Sequence, residues 1–280
     1  MKTMSAYGFI SDIERRLSQV SDSPRAEAEL VLAHVTGLSR SAIYSETSLD
    51  AHLPEVDEVV RRRLSGEPLQ YITGLQWFFG MDLKVGPGVL IPRAETEVTV
   101  QVALGQISAM TAPIVIDVGT GSGAIAMSIA KEREGATVIA VEKEPAAMRW
   151  ARRNAHSGNI CLVQADLFDG VDDSLRSKVG LVVSNPPYLS SAELASSRVE
   201  VRGHEPTSAL LADDDGFAIV GRLISESPEW LLGDGSLVIE ISPDLEDRTM
   251  AAIAERFDTT RVVADLAGRS RVVVGQGRSL

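Results

Sequence analysis

The chain has 280 residues, of which 44% are hydrophobic and 24% charged, as in an ordinary globular protein of one large domain or two smaller ones. Its net charge of -12 and pI of about 4.9 argue against a protein that grips the nucleic-acid backbone, because such proteins present a basic patch. The sequence contains no run of about 18 apolar residues, so no membrane-spanning helix is predicted. The N-terminus carries charges where a signal peptide has its apolar core, so we expect a cytoplasmic protein.

Residues 1–75 are predicted to form a small helical domain. Pro24 is typical of the first position of a helix, apolar residues follow at helical spacing, and Gly37 stands near the expected stop. A further helix is predicted from Pro54 to Leu64. It contains the cationic run Arg61–Arg63, which we expect on the solvated side of the helix, with a contact to an acidic partner as the alternative.

Residues 76–92 mix β-forming residues with glycine and proline, which predicts a β-hairpin linker. In residues 93–280, seven apolar strands alternate with helices, the pattern of a doubly wound, mostly parallel α/β sheet. The last two strands are expected to form an antiparallel hairpin at one edge. Cys161, the single cysteine of the chain, lies in an apolar run and is expected to be a small buried hydrophobe.

A glycine-rich segment, D-V-G-T-G-S-G-A, joins the first strand of this sheet to the following helix. Gly119, Gly121 and Gly123 allow a tight turn and leave no side chain between the backbone and a ligand, with Thr120 and Ser122 between them. The spacing also matches the dinucleotide-binding pattern, which alone is a weak signal. It predicts a ligand beside the start of the helix, with a tight turn that binds nothing as the alternative.

Three acidic residues suggest which ligand this is. Glu142 ends the second strand, where a carboxylate can accept hydrogen bonds from ribose hydroxyls, and Asp166 ends the third, where it can accept from an adenine amino group. A solvated strand end and a turn cap are the alternatives. Asp117 precedes the first glycine by two residues, which favours the ammonium group of S-adenosylmethionine over the pyrophosphate of NAD.

The fourth strand leads into the sequence Asn-Pro-Pro-Tyr, Asn185 to Tyr188. Pro186 and Pro187 fix the backbone and leave their carbonyls as rigid acceptors, and Tyr188 offers a flat face for stacking. These groups suit a planar –NH2 group, whose lone pair they would aim at a methyl sulfonium. Catalysis would then rest on orientation and electrostatic placement. A proline-rich turn without a function is the alternative.

The same segments resemble those of the release-factor glutamine methyltransferases of the HemK/PrmC type. The resemblance rests on DVGTGSGAIA, AVEKEPAA, VVSNPPYL and EPTSALLADDDGF, and on GEPLQYITGLQWFFG and VLIPRAETE before them. It covers roughly residues 66–275. Asn-Pro-Pro-Tyr alone marks amino-methylating enzymes broadly, whereas the linker and the Glu-Pro-x-x-Ala-Leu stretch narrow the resemblance to this family.

The resemblance implies a class I, Rossmann-like methyltransferase domain behind a helical substrate-recognition domain. It implies transfer of a methyl group from S-adenosylmethionine to the side-chain amide nitrogen (N5) of the glutamine in the Gly-Gly-Gln motif of peptide chain release factors, which would modulate translation termination. The residues expected to bind the cofactor are Asp117, Gly119, Thr120, Gly121, Ser122, Gly123, Glu142, Asp166, Leu167 and Asn185. Those expected to hold the glutamine are Arg93, Asn185, Pro186, Pro187 and Tyr188, the last four being the candidate catalytic residues.

Departures from the family pattern and rival functions stay open at this point. Glu142 replaces the more usual aspartate, and Arg93 and Glu97 could form a structural ion pair instead of supporting the pocket. Amino methylation of adenine or guanine and a nicotinamide-dependent oxidoreductase are the rivals. The polar segment 189–216 is expected to be a flap over the acceptor pocket. We expect a monomer that uses no metal and acts on neither nucleic acid nor membranes.

Overall fold

The computed structural model describes residues 5–45 and 53–278, which fall into two compact units. The first unit comprises Met1–Leu75 together with Arg198–His204, and the second comprises Gln76–Ser197 and Glu205–Leu280. The assignment of residues 198–204 to the helical unit is not predicted by the sequence, because this stretch lies more than a hundred residues from the rest of that unit.

The helices and strands of the described residues have the following bounds. The helices are α1 (Ala6–Leu17), α2 (Pro24–Thr36), α3 (Leu53–Leu64), α4 (Leu69–Thr73), α5 (Thr96–Gln106), α6 (Ala124–Glu132), α7 (Pro145–Asn154), α8 (Ser191–Ser196), α9 (Val199–His204), α10 (Ala218–Glu226) and α11 (Glu246–Ala254). The strands are β1 (Leu75–Phe78), β2 (Met81–Lys84), β3 (Ile114–Val118), β4 (Thr137–Glu142), β5 (Ile160–Gln164), β6 (Val179–Ser184), β7 (Leu231–Glu240), β8 (Phe257–Ala264) and β9 (Ser270–Arg278).

The first unit is built on the apolar faces of α1, α2 and α3. Ile10 and Leu32 are completely buried in their shared core, and α2 begins at Pro24 and is capped by Gly37 in the left-handed region (φ +71°), as predicted. None of the described helices, here or in the second unit, is both long and apolar enough to span a bilayer.

The cationic run of α3 is only partly solvated. Arg61 is exposed and pairs with Glu58, whereas Arg63 is 3% exposed and binds Glu27 at 2.8 Å and Glu200 at 2.6 Å. The prediction of a solvated run is therefore wrong for Arg63. The buried guanidinium is tolerated because two carboxylates from distant parts of the sequence neutralise it.

The second unit contains the predicted doubly wound sheet. Within the described residues its strands follow the order β5-β4-β3-β6-β7-β9-β8, in which the first five are parallel and β9 is antiparallel to both neighbours. Successive residues of β3 face opposite sides: Val115 packs with α5 and α6, and Ile116 packs with α10 and α11. Two apolar layers thus cover the sheet, and the antiparallel hairpin at its edge is confirmed.

Two local expectations concern Cys161 and the segment 189–216. Cys161 is exposed, so the prediction of a buried thiol is wrong. It lies on β5, an edge strand with one neighbour, where one side of the strand is left uncovered. The segment 189–216 holds α8, α9 and a short 3-10 turn at Thr207–Ala209, and its role as a flap stays a prediction.

Candidate active site

The strand ends that carry the predicted motifs meet at one edge of the sheet. Val118 at the end of β3 pairs with Val141 of β4 on one side and with Ser184 of β6 on the other. The turn after β3 is tied to this edge, because the N–H groups of Gly119 and Thr120 both donate to the carbonyl of Val141 at 2.9 Å. Parallel pairing therefore brings together segments that are up to 66 residues apart, as the hydrogen bond from Ser184 Oγ to the carbonyl of Val118 shows.

Two adjoining cavities of about 110 and 400 Å³ open beside this edge, within the second unit. The larger one falls in the size range of small-molecule sites. The residues lining both cavities are Gly119, Glu142, Glu144, Pro187 and Ser208. Thr120, Gly121, Ser122 and Asn185 line only the smaller cavity, and Asp166, Leu167 and Pro186 line only the larger one.

The glycine turn leaves space for a ligand. Gly119, Gly121 and Gly123 all have positive φ, at +72°, +58° and +89°. A Cβ added to Gly119 would meet no atom within 4 Å, so a ligand can approach its backbone. A glycine is required at position 123 for a different reason, because a Cβ there would lie 2.6 Å from the side chain of Met127 in the first turn of α6. The turn thus joins strand and helix closely and keeps its cavity side open.

Glu142 presents an acceptor surface to both cavities. Its two carboxylate oxygens each accept one backbone hydrogen bond of 2.8 Å, from the N–H groups of Gly121 and Glu144. These bonds fix the carboxylate in one orientation and leave a second lone pair on each oxygen. Burial raises the pKa of Glu142, against the effect of the backbone hydrogen bonds. A pair of adjacent, oriented oxygens fits the vicinal hydroxyls of a ribose.

Asp117 lies behind the glycine turn and is not among the residues lining either cavity. Its Oδ2 accepts hydrogen bonds from Thr120 Oγ1 at 2.5 Å and from the N–H of Ala126 at 3.0 Å. Among the described residues its Oδ1 has no partner, although the side chain is completely buried. Through these two hydrogen bonds, Asp117 connects the glycine turn to the first turn of α6.

The burial of Asp117 predicts a pH-dependent stability. Burial raises the pKa of Asp117 from 3.8 to about 7. Between these values the folded state keeps a proton that the unfolded state loses, so the stabilisation falls as pH rises through this window. We expect the free energy of unfolding of the wild type, relative to Asp117→Asn, to fall between pH 5 and 7 by up to about 1.4 kcal/mol per pH unit.

Urea unfolding followed by tryptophan fluorescence measures this difference, since Trp77, Trp150 and Trp230 all belong to the second unit. Parallel pH profiles for the two proteins would contradict the assignment of a raised pKa to Asp117.

Asp166 and Leu167 line the larger cavity side by side. The carboxylate of Asp166 is shared by two cations, with Lys143 Nζ at 3.4 Å and Arg222 at 3.3 Å. Leu167 adopts φ +49°, a left-handed conformation that costs a non-glycine residue free energy. A strained backbone next to an anchored carboxylate is the arrangement expected where the main chain is aimed at a ligand.

The residues of the Asn-Pro-Pro-Tyr segment line different cavities. Asn185 and Pro187 line the smaller cavity with the glycine turn, and the amide of Asn185 donates from Nδ2 to Thr96 Oγ1 at 3.1 Å. Tyr188 lines a separate cavity of about 380 Å³ and donates from its hydroxyl to Glu240 at 3.5 Å. Burial raises the pKa of Tyr188, so it acts as a neutral phenol. The structure thus brings Asn185, but not Tyr188, to the cavity beside the glycines.

Arg93 is held by a buried carboxylate and does not line the two cavities described above. It pairs with Glu205, whose other oxygen accepts a hydrogen bond from the N–H of Ile91 at 3.1 Å. Glu97 instead accepts from the N–H of Phe79 at 2.9 Å and so anchors the hairpin to α5. Arg93 and Glu97 therefore do not form an ion pair with each other. Arg93 is bound to Glu205, and Glu97 is bound to the backbone of Phe79.

Two residues behind Asn185 are missed by the sequence analysis. Thr96, the first residue of α5, accepts the hydrogen bond from Asn185, and Glu240, the last residue of β7, accepts from the neighbouring Thr99 at 2.9 Å. The only sequence signal is a glutamate at the end of an apolar strand, where a charge is common. Among the described residues, no group of three or more His, Cys, Asp or Glu side chains is arranged to hold a metal ion.

Comparison with known proteins identifies the family to which the chain belongs. Residues 9–74 match the PrmC N-terminal domain and residues 84–201 the methyltransferase small domain. A release factor glutamine methyltransferase from Rhodopirellula baltica is 38% identical over 90% of this chain and 89% of the relative. One from Escherichia coli is 36% identical over 92% of this chain and 94% of the relative.

Among solved structures, a methyltransferase from Pyrococcus furiosus matches with a TM-score of 0.51 at 17% identity, over 79% of this chain and 98% of that one. At this identity the likeness shows the fold alone.

Proposed function

The chain belongs to the family of release factor glutamine methyltransferases, and from that premise we propose that it methylates the glutamine of the Gly-Gly-Gln motif of peptide chain release factors. The methyl group comes from S-adenosylmethionine and goes to the side-chain amide nitrogen. The observation that carries the proposal is that Asn185 lines the same cavity as the glycine turn and Glu142. An amide side chain beside a nucleoside cradle is what alignment of a carboxamide with a methyl donor requires.

The cavity residues fit S-adenosylmethionine. The open side of Gly119 accommodates the methionine part, and the oriented oxygens of Glu142 can accept from the ribose hydroxyls. We assign Asp166 and the backbone of Leu167, which line the larger cavity, to the adenine. We assign Thr120, Gly121, Ser122 and Gly123 to the same cradle, and Asp117 to its support from behind. When bound, the cofactor supplies an electrophilic methyl group on a sulfonium.

The acceptor amide is held by the Asn-Pro-Pro-Tyr segment. The Oδ1 of Asn185 and the carbonyl of Pro186 accept the two hydrogens of the glutamine –NH2 group, which raises its electron density and directs its lone pair. Pro187 keeps these acceptors rigid. We assign to Tyr188 the support of this segment from behind, through the hydrogen bond of its hydroxyl to Glu240. As the new N–C bond forms, the bond between the methyl group and sulfur would break with its electron pair left on the product, S-adenosylhomocysteine. The amide nitrogen would lose one proton to water, so no strong base is required.

The two parts of the chain have different tasks in this proposal. Residues 1–75 recognise the release factor, residues 76–92 link the parts, and residues 93–280 carry out the transfer. Arg93 contributes to the acceptor side through its ion pair with Glu205. The net charge of -12 favours a protein substrate over bare nucleic acid. We propose that the protein acts as a monomer in the cytoplasm.

The proposal is tested by incubating the purified chain with a release factor and S-adenosylmethionine carrying a labelled methyl group. Mass spectrometry is expected to find one methyl group on the glutamine of the Gly-Gly-Gln motif. The matched control is a release factor in which that glutamine is replaced by alanine, which should take up no label. Label that appears on RNA or DNA, and not on the release factor, would overturn the proposal in favour of nucleic-acid amino methylation.

Glu142 gives a direct test of the cofactor cradle. Glu142→Ala removes both oriented acceptors, so we expect the Kd for S-adenosylmethionine to rise by about 10²-fold, as for the loss of hydrogen bonds to a charged group. Glu132→Ala is the control, because it removes an exposed glutamate at the end of α6 that lines none of the cavities described above. Isothermal titration calorimetry measures both affinities. Equal affinities for Glu142→Ala and the wild type would contradict the assignment.

A further inference from the structure

The segment that follows β2 forms part of the wall of the smaller cavity. Gly88, Val89 and Leu90 line this cavity together with the glycine turn. A Cβ added to Gly121 would lie 3.9 Å from Cγ2 of Val89, so the position of Val89 determines how much space the cavity has beside the turn. Residues 85–89, which we call the strap, form neither helix nor strand. Their position therefore depends on what they pack against.

The helix α7 holds the strap near both of its ends. Asn154, the last residue of α7, accepts from the N–H of Lys84 at 2.8 Å and donates to the carbonyl of Lys84 at 2.9 Å. It also donates to the carbonyl of Ser122 in the glycine turn at 2.9 Å. Near the start of α7, a Cβ added to Gly88 would lie 2.9 Å from the Cβ of Ala146. The strap and the glycine turn are thus fixed to the same helix.

Trp150 lies between these two contacts along α7. A Cβ added to Gly86 would lie 2.7 Å from Cη2 of the indole and closer still to Cζ2, so the glycine allows the ring to pack directly on the backbone. The indole N–H donates to the carbonyl of Pro87 at 3.3 Å. Trp150 also packs against the apolar cluster that contains Val89. The guanidinium of Arg153 lies over the ring, 4.6 Å from its centroid.

We propose that Trp150 is a positioning residue for S-adenosylmethionine, which holds the strap on α7 and so keeps Val89 in place beside the glycine turn. The proposal rests on the proposed function, in which this cavity binds the cofactor. Trp150 lines none of the cavities described above, so it acts through the strap and not by contact with the ligand. The carbonyl that it binds lies 63 residues earlier in the chain.

This arrangement is expected to affect the affinity for the cofactor and not the chemical step. If the strap leaves α7 for part of the time, only the fraction of molecules with a docked strap binds the cofactor well. The apparent Kd then rises by the inverse of that fraction. Bound cofactor restores the docked strap, so kcat at saturating cofactor is retained. A residue that served only the stability of the fold would lower the melting temperature without this selective change in Kd.

Trp150→Leu removes both the ring contact with the strap and the indole N–H. We expect the Kd for S-adenosylmethionine to rise about tenfold, as for a strap that is docked in about a tenth of the molecules. At saturating cofactor, kcat should stay within about threefold of the wild type. Calorimetry and steady-state kinetics measure the two quantities. A Kd equal to that of the wild type would overturn the proposal.

Trp77→Leu is the matched control for Trp150→Leu. Trp77 belongs to the same unit, is 63% exposed and lines none of the cavities described above. Loss of this indole should leave the Kd within about twofold, as for a surface substitution. A tenfold rise in Trp77→Leu as well would show that the loss of any tryptophan weakens cofactor binding, and it would refute a specific role of Trp150.

Gly86→Ala tests the same contact from the side of the strap. The new methyl group would collide with the indole, so this variant alone should also raise the Kd about tenfold. Gly86 is not in the left-handed region, so alanine needs no strained backbone there. In the Trp150→Leu background the ring is absent, and Gly86→Ala should add less than about twofold. Two effects that multiply to about 10²-fold would overturn the proposal, because they would show that the residues act independently.

Hydrogen exchange of the free protein tests the hold of Trp150 on the strap without the cofactor. Peptides that cover residues 84–91, analysed by mass spectrometry, should exchange faster in Trp150→Leu than in the wild type and remain unchanged in Trp77→Leu. Unchanged exchange in Trp150→Leu would overturn the proposal. Failure of the wild type to bind S-adenosylmethionine would instead refute the proposed function, and the exchange rates would still decide whether Trp150 holds the strap.

Discussion

Replacing Asn185 by alanine is expected to lower kcat for methylation of the release factor by about 10³-fold, while the Kd for S-adenosylmethionine stays within about tenfold. The side chain contributes one acceptor to the substrate amide, and this interaction gains strength as charge develops on the nitrogen in the transition state. Loss of such a group lowers kcat more than it weakens cofactor binding. Single-turnover kinetics and calorimetry on the same preparation separate the two quantities.

Asn159→Ala is the matched control for this variant. Asn159 is also a partly buried asparagine whose –NH2 group binds backbone carbonyls, those of Ala130 at 3.4 Å and Ala136 at 3.0 Å. It precedes β5 and lines none of the cavities described above. Its removal should cost stability of about 1 kcal/mol and leave kcat unchanged. Turnover by Asn185→Ala at the level of Asn159→Ala would refute a role of the amide in the transition state.

The part of the site that could be predicted from the sequence consists of the residues at the ends of strands. Gly119, Glu142 and Asn185 each follow or end an apolar strand, and the carboxyl ends of parallel strands meet at one edge of the sheet. Knowledge of the fold class was therefore enough to bring these three together. In the structure all three line the same cavity.

The support behind the site could not be predicted in this way. Thr96 lies 89 residues before Asn185, in a helix whose valines at 98, 100 and 102 alternate as they would in a strand. This alternation hides the helical period, because β-branched residues at every second position are typical of strands. Glu240 gives no signal of its own, since its partners are known only when the helix α5 is placed against the end of β7.

Burial of single residues was the other quantity that the sequence left open. Cys161 and its apolar neighbours do not reveal that β5 is an edge strand, which depends on the order of strands in the sheet. Arg63 follows two more solvated arginines, and its burial depends on carboxylates 36 and 137 residues away, Glu27 and Glu200. In both cases the deciding neighbour is distant in the chain, so no local pattern can show it.

Gly216→Ala is expected to have the second large effect, because it disturbs the Asn-Pro-Pro-Tyr segment from outside. Gly216 has φ +89°, and a Cβ added to it would lie 2.2 Å from the carbonyl oxygen of Tyr188. The backbone of Tyr188 cannot yield freely, since the N–H of the next residue, Leu189, is bonded to the carbonyl of Leu210 at 2.9 Å. A displacement of about 1 Å in an aligning segment is expected to lower kcat by about 10²-fold.

Gly268→Ala separates this contact from backbone strain. Gly268 also has a positive φ, at +76°, but an added Cβ would meet no atom within 4 Å. Both variants therefore incur the cost of about 1–2 kcal/mol for a left-handed alanine, and only Gly216→Ala moves Tyr188. We expect both to lower the melting temperature and only Gly216→Ala to lower kcat. If Gly268→Ala reduced turnover as much as Gly216→Ala, general backbone strain would explain the loss. The position of the Tyr188 backbone would then have no specific role in the alignment of the substrate amide.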